Sequence, residues 1–372
     1  MKTIFQAKNI PKANLNSVIN VSSSQFPAKF PDATNEAIDL QQNHLKARFI
    51  KAKFKITYIV ENIISQPRWF SVFILARFNF IRQLYLLKLK FKPSSSRILA
   101  PDSESLFPEV NPDRVVDLLR QDGLYTDFSL PPDLLQGLLH QTQTQNCFAG
   151  GNTDLGFKIW EKSEVDRLYA QPFYVARYFN ISSSWSEISQ LANDPKLREI
   201  ADKYIGKQAE YTGASLFWTF PIRGTSHDFD QQDFSHFHYD IDDLAGLRFC
   251  FYLTDVDDDN GPHLCIRGSH VKKSLLHVVN LFTRIQPAEK LRKFYGADKF
   301  VTIMGNCGTG FIEDTFCFHK GIVPQYKPRL LLQLHFAAHN YGETDYLDDR
   351  DPEILQSFRL KYSERIESYI PR

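Results

Sequence analysis

The segment Ser235-His236-Phe237-His238-Tyr239-Asp240 sets a histidine and an aspartate two residues apart. Far downstream comes Phe318-His319-Lys320-Gly321 and, ten residues after His319, Arg329. Two imidazoles and one carboxylate are the ligand set of a mononuclear non-haem iron site, where three protein ligands on one side leave the opposite positions open for co-substrate and oxygen. A guanidinium near that opening supplies a planar fork suited to a carboxylate. The chemistry this pattern points to is oxidation by iron(II) with an oxo-acid co-substrate.

The positions of these residues make demands on the elements that carry them. On an extended strand His238 and Asp240 project to one side, Phe237 and Tyr239 to the other. A third ligand must come from a distant segment. His319 is suitable because it ends the aromatic-rich run Gly310 to Phe318, which reads as a buried strand. After Pro328, Arg329, Leu331, Gln333 and His335 fall on one face of a strand, and Leu330, Leu332, Leu334 and Phe336 on the other. Gln333 and His335 are therefore either substrate contacts or hydrogen-bonded interior groups. The wholly apolar opposite face requires a covering layer.

His236 shares the face of His238 and Asp240, so a cupin-like alternative pairs His236 with His238 and takes its carboxylate from Asp242 or Asp243. The acidic loop Asp255 to Gly261 resembles a calcium loop in composition. It lacks glycine at its sixth position and has Ile266 where the bidentate glutamate belongs, so it reads as a solvated hairpin turn. His263, His270 and His277 show no second ligand set and read as structural or surface residues.

With 372 residues and a net charge of +1, the chain can bury a sizeable core and carries no field that points to nucleic acid. Five cysteines, odd in number and without a Cys-x-x-Cys pair, support neither a disulfide framework nor a structural zinc site, and imply a reducing compartment. The N-terminus has no apolar segment followed by a small-residue cleavage site, so a cytoplasmic protein is expected.

Residues 1–45, rich in Asn, Ser, Pro and Gln, read as an irregular arm, and 46–110 as a basic, aromatic-rich helical extension. Central arginines argue against a membrane span there. An amphipathic helix on an anionic membrane surface would turn Lys51, Lys53, Lys55, Arg77, Arg82, Lys88, Lys90 and Lys92 toward phosphates. A helix packed on the protein body would turn them to solvent instead. Downstream, Asn111-Pro112-Asp113 starts a helix that Gly123 stops. Pro131-Pro132-Asp133 opens another through about Gln141, and Asp194-Pro195 a third ending at Gly206. Short alternating segments follow, giving a mainly β fold with flanking helices. Residues 111–345 form the catalytic domain of this reading, and 346–372 a helical tail.

The chain resembles the phytanoyl-CoA dioxygenase family of Fe(II)/2-oxoglutarate oxygenases. The matching pieces are Asp122-Gly-Leu-Tyr125, Ile205-Gly206, Phe217-Trp-Thr-Phe220, His238-Tyr-Asp240, Asp259-Asn-Gly-Pro262, Arg267-Gly-Ser-His270, His319 and Arg329, spanning residues 112 to 340 or so. The resemblance implies a double-stranded β-helix, or jelly roll, preceded by an α-helical region. It implies iron held by His238, Asp240 and His319, 2-oxoglutarate paired to Arg329, and O2 as oxidant. Arg267 replaces the family's usual proline, Gly321 its serine after the distal histidine, and Cys250 its tryptophan. The expected reaction is hydroxylation, desaturation or cyclisation of a small-molecule or lipid-like substrate. The rivals are a cupin-type metalloenzyme independent of 2-oxoglutarate and a catalytically silent jelly-roll binding protein.

Overall fold

The computed structural model describes residues 67–90, 104–149, 156–168, 173–221, 236–274 and 285–341. The arm 1–45, the tail 346–372, His277 and the lysines at 51, 53, 55 and 92 lie outside them.

Local capping chemistry places the helices as expected. In α3 (Pro112–Asp122) the Asn111 side chain accepts from the N–H groups of Asp113 and Arg114, and Gly123 closes the helix at φ +71°, a left-handed conformation favoured in glycine. Helix α6 (Pro195–Ile205) repeats this device with Asp194 and Gly206. Helix α4 (Pro132–Thr144) continues past its expected end near Gln141, and α5 (Ser186–Asn193) precedes α6.

Ahead of these lie α1 (Pro67–Leu75) and α2 (Asn79–Lys90). Here the outward placement expected of the basic residues is corrected for Arg77 and Arg82. Arg77 and Arg82 are only 2% and 4% exposed, whereas Leu75, Phe80, Leu84 and Leu87 face outward. Arg82 turns inward because it finds a full set of partners there. Its guanidinium pairs with Asp314 at 3.2 Å, donates to the carbonyls of Leu244 and His270, and lies over the Phe316 ring. Among the described residues no helix is long and apolar enough to cross a membrane.

The body is a pair of antiparallel sheets. The strands that build the site are β5 (Glu210–Thr219), β6 (Gly246–Tyr252), β9 (Thr309–Asp314) and β11 (Arg329–Ala337) in the larger, with β7 (His263–Ile266) and β10 (His319–Gly321) in the smaller. With β1 (Leu124–Ser129), β2 (Cys147–Ala149), β3 (Gly156–Phe157), β4 (Val175–Tyr178) and β8 (Phe300–Ile303), the larger has the order β1-β9-β6-β11-β5-β4-β2-β3 and the smaller β10-β7-β8. Strand β11 lies between β5 and β6, and the parity expected for it is observed. Leu330, Leu332, Leu334 and Phe336 pack with residues of α3 to α6 such as Leu119, Leu138, Leu197 and Ile200. Each buried leucine contributes roughly 1.5–3 kcal/mol. On the inner face Cys250, Phe311 and Leu331 pack against Cys265 and Ile303 of the smaller sheet. Two antiparallel sheets facing each other over a shared interior, with helices on the outer face, form the jelly roll expected.

Two strand expectations are corrected, the first being that His238 and Asp240 share a strand: His238 lies at an isolated bridge and Asp240 in no strand. The run Gly310 to Phe318 is not one strand, because β9 stops at Asp314. The Asp314 carboxylate accepts from Phe316 N at 2.7 Å, and the Asp314 carbonyl from Cys317 N at 2.9 Å. This turn carries the chain from one sheet to the other, so that His319 opens β10.

Candidate metal centre

The crossing brings His319 opposite His238. The two residues exchange backbone hydrogen bonds of 3.0 and 2.8 Å, and Asp240 N donates to Thr315 O in the intervening turn. One ligand atom from each of His238, Asp240 and His319 lies within 4.8 Å of the others. His238 Nδ1 donates to the carbonyl of His236 at 2.8 Å, and His319 Nδ1 to that of Cys317 at 2.9 Å. A carbonyl can only accept, so both rings carry hydrogen on Nδ1 and keep the Nε2 lone pair for a metal. Those Nε2 atoms are 3.9 and 3.5 Å from the Asp240 carboxylate. Two pinned imidazoles and a carboxylate with room between them fit a divalent iron ion.

The cupin-like alternative is not assembled. His236 is not in this cluster; Asp242 pairs with Arg248 at 3.3 Å, and Asp243 accepts from the backbone N–H groups of Leu244 and His339. The acidic loop is a hydrogen-bonded turn, with the Asp257 side chain accepting from Asp259 N and Asn260 N.

Three residues that the sequence did not place at the site, Arg248, His263 and Glu313, surround the ligands. Arg248, on β6, holds Asp240 Oδ2 at 2.5 Å. Burial would raise the Asp240 pKa, but Arg248, then His319 and His238, hold it well below the usual carboxylate range, so the ligand is anionic. His263 stacks on His319 at 5.4 Å and pairs with Glu313 at 2.9 Å. Glu313 is fully buried. Burial alone would raise its pKa, yet the neighbouring imidazoles and Arg248 bring it down to about 2. His263 is thus structural and close to the site, and His270 is buried beside Cys317. The available signal was a charged residue inside a wholly buried apolar strand, as in Gly246-Leu-Arg-Phe-Cys-Phe-Tyr252.

Arg329 is 3% exposed and enters the same interior. It donates to Gly261 O and to Thr219 Oγ1, while its Nε has no hydrogen-bond partner among the described residues. Among the described residues no carboxylate pairs with it. A buried, uncompensated guanidinium with an orphan donor is costly unless an anion completes it. Gly321, two residues past His319, leaves room beside it: a Cβ there would stand 3.2 Å from Arg329 Nη2. Gln333 and His335 share the inner face, where Ser215 Oγ is 3.3 Å from Gln333 Oε1 and 3.4 Å from His335 Nε2.

The chain matches no family model and no curated protein sequence. Solved structures similar to it include AviO1 from Streptomyces viridochromogenes Tue57, at 15% identity over 63% of this chain and 96% of that one, TM-score 0.40. The non-heme alpha ketoglutarate dependent epimerase SnoN from nogalamycin biosynthesis is 15% identical over 65% and 92%, TM-score 0.45. EctD from S. alaskensis, crystallised with 2-oxoglutarate and 5-hydroxyectoine, is 14% identical over 70% and 90%, TM-score 0.42. Likeness at this level assigns no residue and no activity to this chain.

Proposed function

We propose that this protein is an Fe(II)/2-oxoglutarate-dependent oxygenase of the phytanoyl-CoA dioxygenase type, acting on a C–H bond of a small-molecule or lipid-like substrate. The observation that carries this reading is Arg329: a buried cation with no carboxylate partner among the described residues, in the interior that also holds a cluster of two histidines and an aspartate. When bound, iron(II) supplies the redox chemistry that couples decarboxylation of 2-oxoglutarate, giving succinate and carbon dioxide, to substrate oxidation by O2.

The residues divide the work. His238, Asp240 and His319 hold the metal, with Nδ1 of each imidazole fixed by a carbonyl. Arg329 binds the distal carboxylate of the co-substrate, and Thr219 and the Gly261 carbonyl orient its fork. Phe311, Leu331 and Cys250 exclude water between the sheets, which strengthens the Arg329 contact. Because a carboxylate, Asp240, supplies the third ligand, no position is reserved for a halide, and oxygen insertion or desaturation is favoured over halogenation. Gln333 and His335 line the substrate side in this reading.

Anaerobic addition of Fe(II) and then 2-oxoglutarate tests it. Chelation at this site gives a visible metal-to-ligand charge-transfer band, which neither a cupin-type enzyme nor a silent jelly roll produces. Failure of the band to appear would exclude the proposal.

Gly321 gives a second, independent prediction. In Gly321→Val the added side chain displaces the Arg329 guanidinium from its present place. The expected result is a rise of about tenfold or more in the 2-oxoglutarate concentration needed for half-maximal charge-transfer absorbance, corresponding to loss of one charge-assisted contact worth about 1.5–3 kcal/mol. Fe(II) affinity should be unchanged.

A further inference from the structure

Arg248 is the side chain that the proposed division of labour leaves unused, and its surroundings give it a task. It projects from the middle of β6, where every residue is buried, and is itself 3% exposed. One arm of its guanidinium holds Asp240 Oδ2 at 2.5 Å; the other reaches Asp242 Oδ2 at 3.3 Å. Cross-strand neighbours flank it on both sides, Glu313 on β9 and His335 on β11. The guanidinium is thus fixed independently of Asp240 and acts as an anchor for that carboxylate.

A carboxylate can bind a metal through one oxygen or through both. Two-oxygen binding requires the group to present both atoms to the ion at similar distance, and it uses an additional coordination position. A site that must also accept a chelating oxo acid and a molecule of oxygen has no position to spare, because its two imidazoles and one carboxylate oxygen leave only the opposite face open. We infer that Arg248 is a positioning residue that restrains Asp240 to one-oxygen coordination and thereby keeps the co-substrate position on the metal open. This inference rests on the metal-site reading above and adds to it the control of coordination number. A guanidinium suits the task better than an ammonium because its planar fork grips Asp240 and Asp242 together.

The test compares the wild-type chain with Arg248→Met, Arg248→Lys and Asp242→Asn. Co(II) serves as the metal probe, since its visible spectrum responds to coordination number, and Fe(II) with 2-oxoglutarate is titrated anaerobically through the charge-transfer band. Arg248→Met is expected to bind Co(II) with an altered spectrum and to weaken 2-oxoglutarate binding to the metal form by roughly 10- to 100-fold, the range for loss of a group that supports a ligand. Arg248→Lys should recover part of that loss. Asp242→Asn, which keeps both Asp240 and Arg248, should shift the titration in the same direction by a smaller factor, and it decides the matter if Arg248→Met does not fold. A wild-type Co(II) spectrum and a wild-type 2-oxoglutarate titration in Arg248→Met, or in Asp242→Asn where that variant decides, would overturn the inference and leave the metal site standing. Absence of Co(II) binding by the wild-type chain would instead remove the metal-site reading, and this inference with it.

Discussion

His238→Ala should leave a folded protein that binds Fe(II) at least about 100-fold more weakly than the wild type and forms no succinate from 2-oxoglutarate. The affinity loss is set at the upper end of the range for groups that merely support a ligand, because a ligand itself is removed. His238 is the most exposed of the three, its side chain 20% accessible against 4% for His319 and 12% for Asp240, so its truncation costs the least packing. The melting temperature of the metal-free protein should therefore move by only a few degrees, which separates loss of the site from loss of the fold. Asp240→Asn completes the argument. The amide is nearly isosteric with the carboxylate but carries no charge to offset the metal. It also removes one of the charges that Arg248 pairs with and keeps Asp242 beside it. Metal binding should be lost there too, with a larger fall in stability than in His238→Ala. Isothermal titration with Fe(II) under anaerobic conditions and a succinate assay measure both. Succinate formation that survives both substitutions would place the chemistry elsewhere in the molecule.

The parts legible in the sequence are those that local chemistry determines. A side-chain cap followed by proline, with a glycine at the far end, sets α3 and α6 without reference to anything distant. Strand parity likewise separates the apolar face of β11 from the face that carries Arg329, Gln333 and His335, and the spacing of His238 and Asp240 brings both to the site although His238 lies at an isolated bridge and Asp240 in no strand. What escaped depends on pairing between segments far apart in the chain. Arg77 and Arg82 look like a basic surface until Asp314, more than two hundred residues away, appears beside Arg82. Arg248 looks like an oddity in an apolar strand until folding places it against Asp240. The run ending at His319 has strand-like composition throughout, and only the hydrogen bonds made by Asp314 show that it turns from one sheet to the other. Composition fixes whether such a residue is buried less firmly than the partner it meets.

Asp314→Ala should destabilise the protein by about 3–5 kcal/mol, the cost of leaving one partner of a buried ion pair uncompensated. Against a total stability of about 5–15 kcal/mol this is a large fraction. The carboxylate is 1% exposed and joins three elements, accepting from Arg82 of α2 at 3.2 Å, from Tyr204 of α6 at 2.5 Å and from Phe316 N in the turn before His319. If the cost arises from stranding Arg82 rather than from lost packing, removing both charges should recover most of it, so Arg82→Met combined with Asp314→Asn should be closer to wild type than Asp314→Ala. The pH dependence carries the same information. Burial would raise the Asp314 pKa, but Arg82 and then His270 pull it below its ordinary 3.8. A carboxylate with a lowered folded-state pKa stabilises the protein fully above its unfolded value, and that stabilisation is lost as the pH falls through the folded value. The wild type should thus lose stability on acidification below about pH 4, and a variant with asparagine at 314 should lose less of it over the same range. Chemical denaturation at neutral pH and near pH 3 measures both effects. Because Thr315 O accepts from Asp240 N in the same turn, Asp314→Ala should also weaken metal binding. A variant destabilised by the expected amount whose metal affinity equals that of the wild type would show that the turn positions His319 without help from the Arg82 pair.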